Sequence, residues 1–433
     1  MPDPGPPTGG PPQPADGVAR FRVAVVAVGD ELLLGDVTNS NLAWLGRTFA
    51  DAGLPVVRGL EVGDAVADIV WALRTALSVA DAVVVTGGLG PTSDDRTRQG
   101  LAQLAGVGLR RDQGLRATIE TWYADRGRPA PDAVWAQADV PDGADPIDNP
   151  VGTAPGLNMA VDGRQVYAVP GVPAELRAMV TATVVPQLRA LAGDPPALVT
   201  RQLRVAVLGE SRVAQLLAPL EAGLSDTIAL SYLASPGEVR VRFTGLDRTE
   251  LDQAADRAHS LLGDAVSGSG DEVPAATVLR LLTDRGATLA VAESLTGGAL
   301  AAALVDIPGS STAFRGGVLA YATELKTHLL GVDAALLAAG GPVQAEVAAA
   351  MADGVRERLG ATFGVATTGV AGPDTVDSTP PGTAYVAVSG PGSGARRVQE
   401  LHLPGGRQTV RRLVVVHALD LLRRTILDLE QLT

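Results

Sequence analysis

The sequence predicts an α/β protein built from three consecutive segments, and three observations carry that expectation. Residues 21–90 alternate apolar, strand-like runs with helix-spaced ones and close on Gly87-Gly88-Leu89-Gly90. Glu238–Phe243 alternates charged and apolar residues, as a half-exposed strand does. Thr288–Ala292 is an apolar run that passes through a glycine-containing turn into small apolar residues ending at Leu304. Strand, helix, strand, helix, strand and glycine loop is the order of a parallel sheet, whose ligand sites lie at the carboxyl ends of its strands.

In the first segment, Phe21–Val28 reads as a strand broken only by Arg22, and Asn41–Ala52 as a helix with Leu42, Leu45 and Phe49 on one face and Gly53 ending it. Leu54–Val62 is a second strand. Asp64 is placed to cap a helix that carries Val66, Ile69, Val70, Leu73 and Leu77 at helical spacing. Ala82–Thr86 is the third strand. The middle segment, about Leu203–Leu262, holds a strand, a helical stretch and a strand pair around Pro236-Gly237, and Ser267–Asp271 reads as a hinge. In the last segment the small-residue helix after Gly298 precedes a strand, Gly317–Ala320, and an alanine-rich helix, Gln344–Leu359. That helix offers Val347, Met351 and Val355 either to its own sheet or to a second copy of the chain.

A length of 433 residues suits about three domains of ~150 residues. An apolar content of 46% with 19% charged residues supports ordinary cores, and no apolar run reaches the ~20 residues of a membrane span. A net charge of −13 without a basic patch argues against nucleic-acid binding. The absence of cysteine excludes disulfides, thiolate metal sites and a cysteine nucleophile. Met1–Gly17 is rich in proline and glycine and has neither a cationic side chain nor an apolar stretch. It is expected to be a disordered tail rather than a secretory signal, in a cytoplasmic protein.

The chain has one lysine, Lys326, where every other long cationic side chain is arginine. Arginine cannot lose its proton at ordinary pH, whereas a desolvated lysine can. Thirty-two residues upstream, Ser294 sits on the strand-to-helix turn Glu293-Ser294-Leu295-Thr296-Gly297-Gly298. Ser-x-Thr-Gly-Gly by itself commonly caps a helix. Joined to a neutral lysine, it is a serine–lysine nucleophile pair, with N–H groups around Thr296–Gly298 placed to hold an oxyanion. His328, two residues after Lys326, points away from it on a helix and is not expected to be the base, and His259, His402 and His417 lack ligand-like spacing. Tyr321 suits packing, orienting the pair or stacking on a ring; Arg315 and Arg407 suit either a substrate phosphate or surface ion pairs.

The first segment has no histidine or lysine, so a metal there would need oxygen ligands and be a hard, Mg²⁺-type cation. Asp30, Glu31, Asp64 and Asp94-Asp95 follow strands, and Arg96 is the nearest cation for a phosphate; each acid also suits helix capping. Gly87, Gly88 and Gly90 with Asp94, Asp95 and Thr97 form the densest cluster.

Ala292–Gly298, Ile307–Gly317, Tyr321–Lys326, Leu330-Gly331-Val332 and Thr368-Gly-Val-Ala-Gly-Pro373 closely resemble the C-terminal domain of the CinA (competence/damage-inducible) family, a nicotinamide-nucleotide amidase. The resemblance implies hydrolysis of the carboxamide of nicotinamide mononucleotide to nicotinate mononucleotide and ammonia, without a cofactor. It places the nucleophile on Ser294, the base on Lys326, the family's tyrosine on Tyr321, substrate contacts on Thr368 and Gly369, and a substrate-binding arginine on Arg407. Leu295, Gln344 and Thr379 depart from the family's usual cysteine, serine and lysine.

Val28–Leu34, Asn39–Leu45, Thr86–Thr97, Asn149–Gly156 and Pro170–Glu175 resemble the CinA N-terminal domain, similar in fold to the MoaB and MogA molybdopterin-binding proteins. The pterin-site aspartate of those proteins falls on Asp95, and the resemblance allows metal-assisted ADP-ribose pyrophosphatase activity, with Asp30 and Asp95 as metal ligands. Asn39 and Ala136 replace a family carboxylate and lysine. The implied organisation is a tail (1–19), a MoaB/MogA-like domain (20–195), a KH-like linker domain without an RNA clamp (196–268) and the amidase domain (269–433), in a homodimer. The rival expectation is a nucleotide- or molybdopterin-binding protein with an inactive C-terminal site.

Overall fold

The computed structural model describes residues 21–392 and 395–430; the proline- and glycine-rich tail 1–19 lies outside them. Contacts divide the chain into two compact units, one ending at Val199 and the other beginning at Thr200.

The first unit contains β1 (Val23–Val28), β2 (Val56–Val62), β3 (Ala82–Thr86), β4 (Leu109–Arg111), β5 (Asp139–Pro141), β6 (Asp145–Ile147), β7 (Gly156–Val161) and β8 (Arg164–Val169). Six of them form one sheet in the order β2-β1-β3-β8-β7-β6. The first four run parallel, and β1 and β3 are wholly buried, all Val and Ala but for Thr86 at the end of β3, as strands covered on both faces must be. The sheet is mixed, where the sequence pointed to a parallel one. The reason lies at Asp162-Gly163, whose φ values of 49° and 76° make the tight reversal that pairs β7 antiparallel with β8. Leu45 and Phe49 of the helix Ser40–Asp51 cover one face, while Ile69, Leu73 and Ala76 of the helix Val66–Val79 cover the other.

The second unit begins with the sheet formed by β9 (Val199–Ala206), β10 (Ala229–Ser235), β11 (Glu238–Gly245) and β12 (Val266–Ser269), in the order β10-β11-β9-β12. The charged–apolar alternation of β11 is realised as alternating half-buried and buried positions. The second sheet contains β13 (Leu289–Glu293), β14 (Phe314–Leu319), β15 (Phe363–Gly369), β16 (Thr383–Ser389) and β17 (Arg397–His402), in the order β14-β13-β15-β16-β17. β14, β13 and β15 are parallel, so the loops after all three emerge at one edge. The helix Arg407–Glu430 packs Val410, Val414, Ala418 and Leu422 into the core on one face of this sheet.

The helix Ala345–Arg358 covers the other face, with Val347, Met351 and Val355 fully buried against Ala290, Ala366 and Ala387. Each such side chain contributes roughly 1.5–3 kcal/mol by burial. This face therefore belongs to the chain's own core and is not available for pairing with a second copy. Gly354 fits beneath Leu330, whose carbonyl oxygen would lie 1.9 Å from any Cβ added there.

Candidate active site

Ser294 follows β13, and its N–H continues the β13–β15 ladder by donating to the Thr367 carbonyl at 3.0 Å. Lys326 lies on the helix Thr323–Leu330, one turn from its start, with only 1% of its surface exposed. Its Nζ is 3.2 Å from Ser294 Oγ and 2.9 Å from the Ala320 carbonyl. Among the described residues no carboxylate pairs with it. Burial pushes its pKa below the ordinary 10.5, opposed by the Glu324 carboxylate. Burial thus eases loss of a proton that an arginine in the same place would keep.

A cavity of about 410 Å³ opens on this pair, within the range of small-molecule sites. Ser294, Lys326, Tyr321, Thr368, Gly369 and Arg407 line it, so six of the proposed residues converge from positions 294–407. Arg407 begins the C-terminal helix and donates to Tyr321 Oη at 2.9 Å and to the Gly372 carbonyl at 3.0 Å. The Thr368 hydroxyl donates to the Pro342 carbonyl at 2.7 Å, holding a second wall in place. Gln344, one of the departures from the family pattern, braces the same segment by donating to the carbonyls of Leu336 and Gly341.

Other expected residues fall elsewhere. Arg315 is exposed, does not line the cavity, and donates to the Leu359 carbonyl. Thr296, Gly297 and Gly298 do not line the cavity. The Gly298 N–H is not open to an oxyanion, because it donates to Glu293 Oε2 at 2.9 Å, and the Gly297 N–H donates to the Ser294 carbonyl at 3.1 Å. Glu293, 2% exposed, also accepts from the N–H groups of Leu300 and Ala301. Its carboxylate satisfies donors that a helix start would otherwise turn toward an anion. The N–H groups of Leu295 and Thr296 have no hydrogen-bond partner among the described residues. His328 is exposed and outside the cavity, as expected of a residue that is not the base.

Glu293, Thr367 and Arg411 were not picked out from the sequence. Thr367 Oγ1 lies 2.8 Å from Thr296 Oγ1 inside the core, and Arg411 grips the Thr296 carbonyl from the C-terminal helix. A signal existed for two of them. Glu293 is an acid closing an apolar strand, and Arg411 follows Arg407 by four residues, on the same helical face.

In the first unit a cavity of about 540 Å³ is lined by Gly87, Gly88, Gly90, Asp94 and Asp95. Thr97 is buried beneath it and donates to the Gly87 carbonyl at 2.8 Å. Arg98, also missed, is 2% exposed and holds the loop from below through the Leu89 and Gly90 carbonyls. Arg96 does not line the cavity and donates to the Ser93 carbonyl.

Asp64 does not cap the following helix, whose N-cap is Ala65. It exchanges hydrogen bonds with Asp30, each carboxylate accepting from the other's N–H. Burial pushes the Asp64 carboxyl up, and the charges of Asp30, Glu31 and Asp94 add to this against the lowering effect of the Asp30 N–H. Asn39 Oδ1 caps the helix Ser40–Asp51 through the Leu42 N–H while its Nδ2 donates to Glu61, which an aspartate at that position could not do.

Asp30 and Asp95 do not fit a resident hard cation. Asp30 is engaged with Asp64, and Asp95 accepts from the N–H groups of Gly90 and Thr92 and from the Thr92 hydroxyl. Among the described residues no three acidic or imidazole groups converge as ligands.

Fold and site together define an α/β protein with a buried serine–lysine centre in its last third. Residues 24–190 match the family model described as a probable molybdopterin binding domain, 200–268 the damage-inducible protein CinA KH domain, and 271–426 the CinA C-terminal domain. A CinA-like protein of Frankia casuarinae is 48% identical over 422 residues, spanning 94% of this chain and 97% of that one. A putative competence-damage inducible protein of Symbiobacterium thermophilum is 41% identical over 419 residues, spanning 93% and 98%. A crystal structure of the protein CinA with unknown function from Thermoplasma acidophilum matches 39% of this chain and 98% of its own, at 40% identity and a TM-score of 0.37. The chain belongs to the CinA family.

Proposed function

We propose that the protein hydrolyses the carboxamide of nicotinamide mononucleotide at Ser294, giving nicotinate mononucleotide and ammonia. The observation that carries this reading is a lysine 1% exposed, without a carboxylate partner among the described residues, and 3.2 Å from a serine hydroxyl. As Ser294 Oγ bonds to the carboxamide carbon, its proton passes to the neutral Lys326 amine. The tetrahedral centre collapses, the C–N bond breaks, and the Lys326 ammonium returns the proton to the departing nitrogen, which leaves as ammonia. Water then attacks the ester, Lys326 takes its proton, and Ser294 recovers it on release of the nicotinate product. Arg407 supplies positive charge for the phosphate, and the exposed Tyr321 ring beside it offers a stacking face for the pyridine.

The two cavities differ in charge in a way that favours this assignment. The first-unit cavity is lined by Glu31, Asp64, Asp94, Asp95 and Glu175 and, among the described residues, by no cationic side chain, which disfavours a bare phosphate. Arg407 gives the C-terminal cavity a cation at its rim. Incubating the purified protein with nicotinamide mononucleotide and a chelator tests the reading. Equal amounts of ammonia and nicotinate mononucleotide are expected, and no turnover with or without divalent metal rejects it.

A further inference from the structure

The nucleophile turn is tied to the C-terminal helix by one side chain outside the cavity. Arg411 Nη2 and Nε donate to the Thr296 carbonyl at 2.6 and 3.2 Å. The peptide carrying that carbonyl ends in the Gly297 N–H, which donates to the Ser294 carbonyl at 3.1 Å. The peptide carrying the Ser294 carbonyl ends in the Leu295 N–H, which has no partner among the described residues, and Leu295 lines the cavity beside Ser294. A guanidinium, two peptide groups and an unpaired N–H next to the nucleophile are therefore linked in series. Hydrogen bonds in series polarise one another, and the effect is strongest away from water. Space confirms how closely the parts fit: Gly297 has φ +61°, and a Cβ on it would lie 3.2 Å from Arg411 Nη2.

We propose that Arg411 is a positioning residue for the amide hydrolysis. Through Thr296 and Gly297 it fixes and polarises the Leu295 N–H as the donor to the oxyanion formed at Ser294. The inference rests on the amidase reading for its substrate, but not for its geometry. It replaces the helix-start donors, which Glu293 occupies, with the N–H that immediately follows the nucleophile, a position used by serine hydrolases of unrelated folds.

Arg411 does not line the cavity, so its loss should act on turnover and not on substrate affinity. The test measures kcat and KM for ammonia release from nicotinamide mononucleotide in Arg411→Gln, Arg411→Lys and Arg411→Ala. In parallel it follows the rate at which a fluorophosphonate labels Ser294, since the phosphonylated centre needs the same donor. Expected are a fall of about tenfold in kcat and in labelling rate, KM within twofold, and partial recovery of Arg411→Ala by millimolar guanidinium. This is smaller than the 10²–10³-fold loss when an oxyanion donor itself is removed. Unchanged kcat and labelling in folded Arg411→Gln overturn the proposal, as does a rise in KM alone, which would mark a substrate contact. A wild-type protein that is labelled but releases no ammonia overturns the amidase reading, and its Arg411 variants still decide this proposal through labelling. A wild-type protein that is neither labelled nor active overturns both.

Discussion

Lys326 Nζ lies 2.9 Å from the Ala320 carbonyl, and this contact limits the orientations open to the amine. A neutral amine that donates one N–H to Ala320 keeps a lone pair that can face Ser294 Oγ, 3.2 Å away. The Ala320 carbonyl is itself held in place, because the Ala320 N–H donates to the Glu293 carbonyl at 2.9 Å. The base is therefore oriented by the strand end adjacent to the nucleophile.

Lys326→Met removes the proton acceptor while keeping a flexible side chain of similar length. Ammonia release should fall by about 10²–10⁴-fold, the usual loss for a general base. Because the folded-state pKa lies below 10.5, the folded protein binds the proton less tightly than the unfolded chain does. The charged amine thus lowers stability below its folded pKa, and that cost fades as the pH rises toward 10.5. Thermal unfolding at neutral pH should accordingly show Lys326→Met no less stable than the parent, and a large loss of stability would contradict the uncompensated burial.

The Glu324 carboxylate raises the Lys326 pKa, and it does not line the cavity. Glu324→Gln should move the rising limb of the pH–rate profile to lower pH, since the amine then loses its proton more readily. A shift to higher pH, or none while the limb still depends on Lys326, would speak against the assignment.

Arg407→Ala should raise KM for nicotinamide mononucleotide by about tenfold or more, as a charge-assisted hydrogen bond of roughly 1.5–3 kcal/mol is lost. It should leave KM for the phosphate-free riboside nearly unchanged. Equal effects on both substrates would remove Arg407 from the phosphate.

Asp95 holds the Gly90 and Thr92 N–H groups, so Asp95→Asn should loosen the glycine loop and leave the amidase rate intact. With Asp30 and Asp95 committed to backbone donors, ADP-ribose cleavage is expected to be low even in the parent with Mg²⁺. Phosphate-ester product analysis checks it, and strong metal-dependent cleavage would show that these carboxylates reorganise around an ion.

The strands and the serine–lysine pair were legible because each left a local mark: apolar runs of the right length, a glycine-rich turn, and one lysine in an arginine-only background. Tyr321, Thr368, Gly369 and Arg407 of the cavity followed from the family resemblance, but what holds the nucleophile turn from outside the cavity was not legible. Glu293 and Arg411 act through backbone N–H and carbonyl groups, and neither an acid closing a strand nor an arginine one turn after Arg407 shows by itself that the Gly298 N–H is already taken. Asp64 followed a strand and preceded a helix, and only the position of Asp30, 34 residues away in sequence, reveals its partner. The helix Ala345–Arg358 illustrates a further limit: its apolar stripe fits its own sheet or another subunit equally well until the fold is known. A homodimer remains the proposal for assembly. Light scattering should then give about twice 44.1 kDa, through a surface other than that helix.

Ammonia release by Ser294→Ala tests the central claim most directly. The substitution removes a single oxygen from a side chain that is already nearly buried, so folding should be preserved. The account predicts that the parent converts nicotinamide mononucleotide in the presence of a chelator and that Ser294→Ala retains less than about a hundredth of that rate. Turnover by folded Ser294→Ala comparable to the parent's would contradict it.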